Sequence, residues 1–167
     1  MSSRAKLTFV SRRRALRANC CFRWNKRLED EFGKRKVSAA TLVKFNDRLG
    51  GHRILIVEDE LIIAWELQDI VEALGGSVLG PIPSVPAALR LLGQQRPDAA
   101  LLDVNLQGQK VTPVAIECQR RNIPFAIVTA YGGLCLNEPV LESAPRVWKP
   151  VNLHDIAVAL SAIIEFS

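Results

Sequence analysis

Polar residues follow four short apolar segments of the chain, at the point where each segment ends. They comprise three acids, a hydroxyl and an amine: Glu58, Asp59, Asp103, Thr129 and Lys149. Three carboxylates brought together in a partly buried pocket repel one another unless a cation is present. Magnesium prefers such oxygen ligands, a lysine is a point charge for a phosphoryl oxygen, and a threonine hydroxyl donates a hydrogen bond. The five residues could therefore stabilise a phosphoryl group that arrives on a carboxylate.

The elements that must position these residues alternate between strands and helices. Apolar, β-branched runs without a polar face indicate strands buried on both faces, and apolar residues three or four apart indicate helices. Gly75–Gly76 ends the first helix, Ser84 is a candidate N-cap of the second, and Pro113 lies in the first turn of the third. We predict strands at residues 54–57, 77–79, 99–102, 124–128 and 147–148. We predict helices at residues 61–74 and 84–92, from 112 onwards, once within 132–145, and at 155–166.

This alternation predicts the fold class. Five strands that alternate with five helical segments in about 115 residues indicate an α/β domain with a parallel sheet. Gly80–Pro81 ends the second strand, and a loop through Gly108 joins the third strand to the third helix. Parallel sheets of this kind bind ligands outside the carboxyl ends of their strands. We therefore expect the five polar residues to lie together at one edge of the sheet.

The charge of the chain is unevenly distributed. Residues 1–51 carry 14 Lys or Arg against 4 Asp or Glu, a net charge of +10, whereas residues 52–167 carry 8 against 13, a net charge of −5. Like charges at the density of the N-terminal part oppose compaction. Gly50–Gly51 lies where the composition changes. We predict a basic, disordered N-terminal extension at residues 1–51 and a folded domain at residues 52–167.

The basic extension has two interpretations. It is a solvated tail, or it contacts a nucleic acid or another anionic surface, with Trp24 as a stacking residue. The sequence shows no winged-helix or helix-turn-helix pattern, which favours the tail. Nucleic-acid binding that weakens steeply with salt and is lost when residues 1–50 are deleted would distinguish the two.

The composition excludes several classes of protein. Apolar residues make up 49% and charged residues 23% of the 167 residues, as in ordinary globular chains. The four cysteines have neither zinc-ligand spacing nor the density of a disulfide scaffold. No apolar run is long enough to span a membrane, and the start lacks the pattern of a secretory signal. We therefore expect a protein of the reducing cytoplasm without membrane contact.

The polar residues resemble those of the receiver domain of bacterial two-component response regulators. The acidic pair Glu58–Asp59, Asp103 after the third strand, Thr129 before a small residue, and Lys149–Pro150 match the motifs of that family in order and spacing. The resemblance covers residues 52–167. It implies a flavodoxin-like, doubly wound, five-stranded parallel sheet of order 2-1-3-4-5. It also implies a cis peptide bond before Pro150.

The resemblance implies a role for each acid. Asp103 would accept a phosphoryl group from a phosphohistidine of a sensor histidine kinase or a phosphotransfer protein. Asp59 would bind Mg²⁺ directly, and Glu58 would bind it through water. Asp103 itself and the backbone carbonyl of Asn105 would complete the protein ligands.

The resemblance also implies how the domain would signal. Lys149 would pair with the phosphoryl group and Thr129 would move to bond it, so that the new charge shifts the domain between two states. Three residues before the lysine, where the family often has a switch Tyr or Phe, this chain has Arg146. Tyr131 follows the threonine by two residues, in a segment similar to a subgroup of stand-alone receivers found mainly in alphaproteobacteria. Whether Arg146 and Tyr131 replace the usual aromatic switch is left open by the sequence.

Each residue taken alone also has a structural explanation. Acids at a helix start favour the positive end of the helix dipole, and an isolated threonine or lysine is commonly a cap or a surface residue. Asp103 is the exception, because an unpaired charge directly after a buried strand is costly. Trp65 and Trp148 are predicted to be packing residues.

Three functions are compatible with these features. The first is a phosphoryl-accepting receiver without enzymatic turnover, which signals by contact with another protein; it would have no output domain of its own, because the last helix ends the chain at Ser167. The second is a Mg²⁺-dependent phosphatase with an Asp nucleophile. Such haloacid-dehalogenase-type enzymes usually need a second Asp two residues further on, where this chain has Asn105. The third is a nucleic-acid-binding regulator that acts through the basic extension.

Overall fold

The computed structural model describes residues 49–130 and 138–165 of the chain. Most of the predicted N-terminal extension, and also Tyr131, lie outside the described residues, so the expected disorder of residues 1–51 stays a prediction. Leu49, just before the predicted domain boundary, is buried in the apolar core. Within the two described ranges, no helix has the length and apolar character that crossing a membrane requires.

Within the residues that the structure describes, seven strands form one large and one small sheet. In chain order they are β1 (Arg53–Val57), β2 (Ser77–Ile82), β3 (Ala99–Asp103), β4 (Asn105–Leu106), β5 (Gln109–Lys110), β6 (Phe125–Thr129) and β7 (Arg146–Trp148). Five of them form a parallel sheet of order β2-β1-β3-β6-β7, and β4 and β5 form a separate ribbon. Without the ribbon, this order is the predicted 2-1-3-4-5. The predicted flavodoxin-like fold is confirmed.

In the described ranges, four helices connect strands and a fifth follows the last strand, and together they cover both faces of the large sheet. They are α1 (Leu61–Ala73), α2 (Val85–Gln94), α3 (Thr112–Arg120), α4 (Pro139–Glu142) and α5 (Leu153–Glu165). Apolar residues of α1 and α5 pack on one face, and those of α2 and α3 pack on the other. The sheet is therefore doubly wound, and its strands are buried on both sides.

Alternate residues of the strands point to opposite faces and build two separate cores. The core beneath α1 and α5 contains Ile54, Ile56, Leu101 and Val128. The core beneath α2 and α3 contains Leu55, Val57, Leu102 and Ile127. All eight side chains are fully buried, which explains why the strands are continuous apolar runs. Each such side chain contributes about 1.5–3 kcal/mol by burial. The strand ends, and the polar residues after them, are thus held on a rigid base.

β2 runs further than the sequence predicts. It continues through Gly80–Pro81 to Ile82, where the carbonyl accepts a hydrogen bond from the backbone N–H of Glu58 at 3.0 Å. Gly80 has a φ of 107°, and a Cβ there would lie 2.8 Å from the carbonyl oxygen of Ile56. Glycine is required because it alone tolerates this backbone and this approach. The prediction that Gly80–Pro81 ends the strand is wrong.

A two-stranded ribbon replaces the loop predicted after β3. β4 and β5 pair antiparallel, with Leu106 opposite Gln109. Gln107 and Gly108 form the turn between them, with φ angles of 53° and 85°. A two-residue turn with positive φ at both positions matches the twist of a hairpin. The usual signal of this turn is Asn-Gly or Asp-Gly, which is why the Gln-Gly pair did not predict it.

The two tryptophans in the described residues are more exposed than predicted. Trp65 is 57% exposed and Trp148 is 39% exposed, so the prediction that they are packing residues is wrong. Trp65 lies on the outer side of α1, whereas its neighbours Ala64 and Leu67 are buried against the sheet. The peptide bond before Pro150 is cis, as the resemblance implies, and a second cis bond precedes Pro81.

Candidate functional site

The carboxyl ends of the central strands meet at one edge of the sheet and carry the predicted site residues. In the part of the chain that the structure describes, the buried polar residues are Glu58, Asp103 and Thr129. They follow or end β1, β3 and β6. The register pairs Thr129 with Trp148, the residue directly before Lys149. The sheet therefore places two acids, a hydroxyl and an amine at the carboxyl ends of four adjacent strands, β1, β3, β6 and β7.

The ammonium group of Lys149 lies between the carboxylates of Glu58 and Asp103. Its Nζ is 2.8 Å from Oε2 and 2.9 Å from Oε1 of Glu58, and 3.2 Å from Oδ2 of Asp103. The side chains of Lys149, Glu58 and Asp103 are 8%, 0% and 10% exposed. Since charges this buried are costly without a partner, each of the three depends on the other two.

Burial and neighbouring charges shift the pKa values of two of these groups. Desolvation, aided by the charge of Asp103, outweighs the hydrogen bond from Lys149 and raises the pKa of Glu58 from 4.5 to about 7. Burial by itself would lower the pKa of Lys149, but its hydrogen bond to Glu58 and the charges of Asp103 and Glu58 raise it. Lys149 is therefore charged at neutral pH, whereas burial favours the protonated form of Glu58.

A cleft of about 210 Å³ opens beside this ion pair. Its polar lining comprises Asp59, Glu60, Asp103, Asn105, Gln107 and Lys149. Within the described residues, the Asp103 side chain makes one hydrogen bond, from Lys149 to Oδ2. Asp103 thus keeps one carboxylate oxygen, Oδ1, for a reacting group in the cleft.

The ribbon holds Asp59 at one side of the cleft. The backbone N–H of Gln107 donates a hydrogen bond to Oδ2 of Asp59 at 3.0 Å. Among the described residues, the carboxylates whose oxygens lie within 4.8 Å of one another are those of Glu58, Glu60 and Asp103. The structure therefore places Asp59 in the predicted cleft but outside this tight group of acids, and Glu60 takes its place there.

Glu60 is the site residue that sequence reasoning missed. Its side chain is 67% exposed, and its Oε1 lies 3.5 Å from Nζ of Lys149. It is the N-cap residue of α1, but it makes no side-chain capping hydrogen bond. An acid at a helix start is sufficiently explained by the helix dipole, so its type and position gave no sign of a contact with Lys149.

Thr129 lies at the end of β6, beside the last strand of the sheet. It is buried, and its backbone carbonyl accepts a hydrogen bond from the N–H of Lys149 at 2.9 Å. Ala130, the next residue, lines the cleft. The backbones of β6 and β7 are thus hydrogen-bonded up to the site, and this pairing fixes the positions of the Thr129 and Lys149 backbones.

The residues of the cleft fit a hard divalent cation. Three carboxylates, those of Glu58, Glu60 and Asp103, lie around the Lys149 ammonium, and the carboxylate of Asp59 lines the same cleft. Among the described residues of the site, negative charge is therefore in excess. Carboxylate oxygens and the carbonyl of Asn105 are the donor types that Mg²⁺ prefers. Among the described residues, no histidine or cysteine of the kind that transition metals prefer lines the cleft.

The chain is similar to solved signalling proteins, although no family model matches it. The signal receiver domain of a diguanylate cyclase from Desulfovibrio desulfuricans G20 is 27% identical, with a TM-score of 0.63, over 70% of this chain and 95% of that one. SdrG from Sphingomonas melonis Fr1 is 38% identical, with a TM-score of 0.60, over 68% of this chain and 97% of SdrG. The chain belongs to the receiver-domain family of response regulators.

The receiver domain is also similar to part of larger regulators. The phyllosphere-induced regulator PhyR of Methylorubrum extorquens is 28% identical over 116 residues, which are 68% of this chain and 43% of PhyR. The chain spans less than half the length of the curated relatives it matches. These relatives are regulators by name, which agrees with a signalling receiver.

One position of this receiver domain departs from the family pattern. Arg146 begins β7, is half-buried and pairs with Ile127 of β6, where the family often has an aromatic residue. The second candidate for that role, Tyr131, lies outside the described residues. Whether these two residues replace the aromatic switch therefore stays open.

Proposed function

We propose that Asp103 accepts a phosphoryl group from a phosphohistidine of a sensor histidine kinase or a phosphotransfer protein. The new charge then alters the binding of a protein partner, as in other two-state switches. The observation that carries this proposal is the 3.2 Å contact between Nζ of Lys149 and Oδ2 of Asp103 beside an open acidic cleft. SdrG supports it, because that relative has been solved in a BeF3-activated conformation, at 37% identity to this chain.

Asp103 acts as the nucleophile in this reaction. The free carboxylate oxygen of Asp103 donates an electron pair to phosphorus and forms a P–O bond. The P–N bond of the phosphohistidine breaks, and the electron pair of that bond stays on the imidazole nitrogen. The product is an acyl phosphate on Asp103. Lys149 neutralises negative charge on the phosphoryl oxygens, and the hydroxyl of Thr129 supplies a further hydrogen-bond donor.

The other acids prepare the site for this step. Asp59, Asp103 and the backbone carbonyl of Asn105 would hold Mg²⁺, with Glu58 acting through water. When bound, Mg²⁺ supplies charge neutralisation on the transferring phosphoryl group. Glu58 keeps the Lys149 ammonium beside Asp103 through contacts of 2.8 and 2.9 Å.

We infer that the domain does not turn over a substrate as a phosphatase. Asn105 stands two residues after Asp103, where a phosphatase with an Asp nucleophile needs a general acid. An amide does not perform that proton transfer. The phosphoryl group therefore persists on Asp103 and serves as a signal. Nucleic-acid binding through residues 1–51 stays a prediction, because most of that extension lies outside the described residues.

Labelling with a small phosphodonor tests the proposal. With acetyl phosphate and Mg²⁺, the chain should gain one acid-stable, base-labile phosphoryl group, visible by intact-protein mass spectrometry. Asp103→Asn should abolish the label, as should removal of Mg²⁺. Asp69→Asn, which changes an exposed carboxylate of α1, should label like the wild type and serves as the matched control. Labelling that is unchanged in Asp103→Asn or independent of Mg²⁺ would refute the assignment.

A further inference from the structure

Glu60 contacts Lys149 from the solvent side of the site. Its Oε1 lies 3.5 Å from Nζ of Lys149, and its side chain is 67% exposed. Among the described residues, Lys149 is the sole side-chain partner of the Glu60 carboxylate, which does not cap α1. The phosphoryl transfer proposed above gives this contact no role.

Lys149 has three N–H donors and three carboxylates around it. Glu58 Oε1 and Asp103 Oδ2 accept hydrogen bonds at 2.9 and 3.2 Å, and Glu60 is the third neighbour. A phosphoryl oxygen on Asp103 must take one of these donors. Glu60 is the most exposed and the most distant of the three partners, and exposed ion pairs contribute little to stability. Glu60 is therefore the partner that is displaced at the lowest cost.

We propose that Glu60 determines which phosphodonors reach Asp103. Before phosphorylation, the Glu60 carboxylate is the third neighbour of the Lys149 ammonium and faces its third N–H donor. The arriving phosphoryl group displaces Glu60 from this position. Glu60 also lines the cleft, so its negative charge repels a dianionic donor more than a monoanionic one. This inference rests on the proposed function, because it concerns the rate of the same phosphoryl transfer.

Each donor forms the same bond to Asp103 but releases a different group. With acetyl phosphate, an oxygen of Asp103 forms a P–O bond to phosphorus, the P–O bond to the acetyl group breaks, and acetate leaves with the electron pair. With phosphoramidate, whose nitrogen carries the proton, the P–N bond breaks and ammonia leaves with the electron pair. Acetyl phosphate is a dianion at neutral pH, whereas phosphoramidate is largely a monoanion. Comparing the two donors separates the effect of charge from any general effect on the site.

The test measures initial labelling rates of the full chain at saturating Mg²⁺ with each donor. Glu60→Gln should react about threefold faster with acetyl phosphate, the rate equivalent of one exposed ion pair, and gain less with phosphoramidate. The acceleration should shrink as salt is added, because salt screens exposed charges. Glu60→Asp keeps the charge and should stay close to the wild-type rates. Glu66→Gln changes an exposed acid of α1 outside the cleft lining and should leave both rates unchanged.

Four results would overturn this inference. Glu60→Gln could react no faster than the wild type, or Glu66→Gln could be accelerated equally. A higher Mg²⁺ concentration for half-saturation of Glu60→Gln, measured by calorimetric titration, would instead make Glu60 a metal ligand. A wild-type chain that is not labelled by either donor would refute the proposed function itself, and with it this inference. Thermal unfolding of each variant checks that the fold is intact.

Discussion

Replacing Glu58 with glutamine tests the consequence of burying a carboxylate beneath Lys149. The Glu58 side chain is 0% exposed, and burial raises its pKa to about 7. In the wild type, the Glu60 backbone N–H and Nζ of Lys149 donate hydrogen bonds to Oε1 of Glu58 at 3.2 and 2.9 Å. A glutamine oxygen can accept the same two hydrogen bonds. We therefore expect Glu58→Gln to fold like the wild type while losing the charge.

The expected effect is a change in the pH dependence of stability. Because the pKa of Glu58 is higher in the folded than in the unfolded chain, the folded state binds more protons between these pKa values and becomes less stable as pH rises. The difference between 4.5 and about 7 corresponds to roughly 3 kcal/mol over the full range. About 2 kcal/mol of this loss falls between pH 5 and pH 8. Glu58→Gln lacks this loss, so its stability relative to the wild type should increase by about 2 kcal/mol over that interval.

The assay is urea unfolding followed by circular dichroism at several pH values between 5 and 8, with a chelator present. Taking the difference between wild type and variant removes the contribution of every other ionisable group, because both chains share them. Glu66→Gln, an exposed acid of α1, should show no such change with pH and serves as the control. A difference between Glu58→Gln and wild type that stays constant within about 0.5 kcal/mol would refute the reasoning, since extrapolation errors are of that order.

Further predictions concern the metal, the ribbon and the core. Mg²⁺ should raise the urea midpoint of the wild type but not of Asp59→Asn; equal stabilisation of both would exclude Asp59 as a ligand. Gly108→Val forces a β-branched residue to a φ of 85° and should cost about 1–3 kcal/mol. It should also weaken Mg²⁺ binding by calorimetry, because the ribbon positions Asp59, and unchanged binding would contradict that role. Leu101→Ala removes a fully buried side chain of β3 and should cost about 2–5 kcal/mol while Asp103 remains phosphorylatable; a smaller cost would mean that β3 does not anchor the core.

The contact between Glu58, Asp103 and Lys149 could be predicted because each residue ends a strand or directly follows one. The length of an apolar run defines where a buried strand ends, and parallel strands bring their carboxyl ends to the same edge. Strand order came from the resemblance rather than from the residues. Together these two sources predicted the fold and the place of the site without any knowledge of side-chain contacts.

The directions of the successive acids could not be predicted. Glu58, Asp59 and Glu60 leave β1 and enter α1, and the path of three residues decides which side chain turns toward Lys149. That path depends on the hydrogen bond from Glu58 N–H to the end of β2 and on the one from Gln107 N–H to Asp59. Both partners lie far away in the sequence. Residue types therefore indicated the acids but not their individual contacts.

The exposure of Trp65 could have been predicted from helical spacing. The buried stripe of α1 includes Leu67, Ile70 and Val71, and Trp65 falls outside it. The packing prediction relied on the large apolar surface of tryptophan instead of on its position. The ribbon, by contrast, could not have been predicted from the sequence. The pair Gln107–Gly108 lacks the usual turn signal, and its conformation follows from the pairing of the flanking residues.

The partial exposure of Trp148 gives the domain an optical reporter of its own. Trp148 directly precedes Lys149, and its indole is 39% exposed, so its fluorescence should respond when the neighbouring ammonium exchanges a carboxylate for a phosphoryl oxygen. Trp65→Phe would leave Trp148 as the single indole among the described residues. Occupancy of Asp103 could then be followed in real time with no added dye.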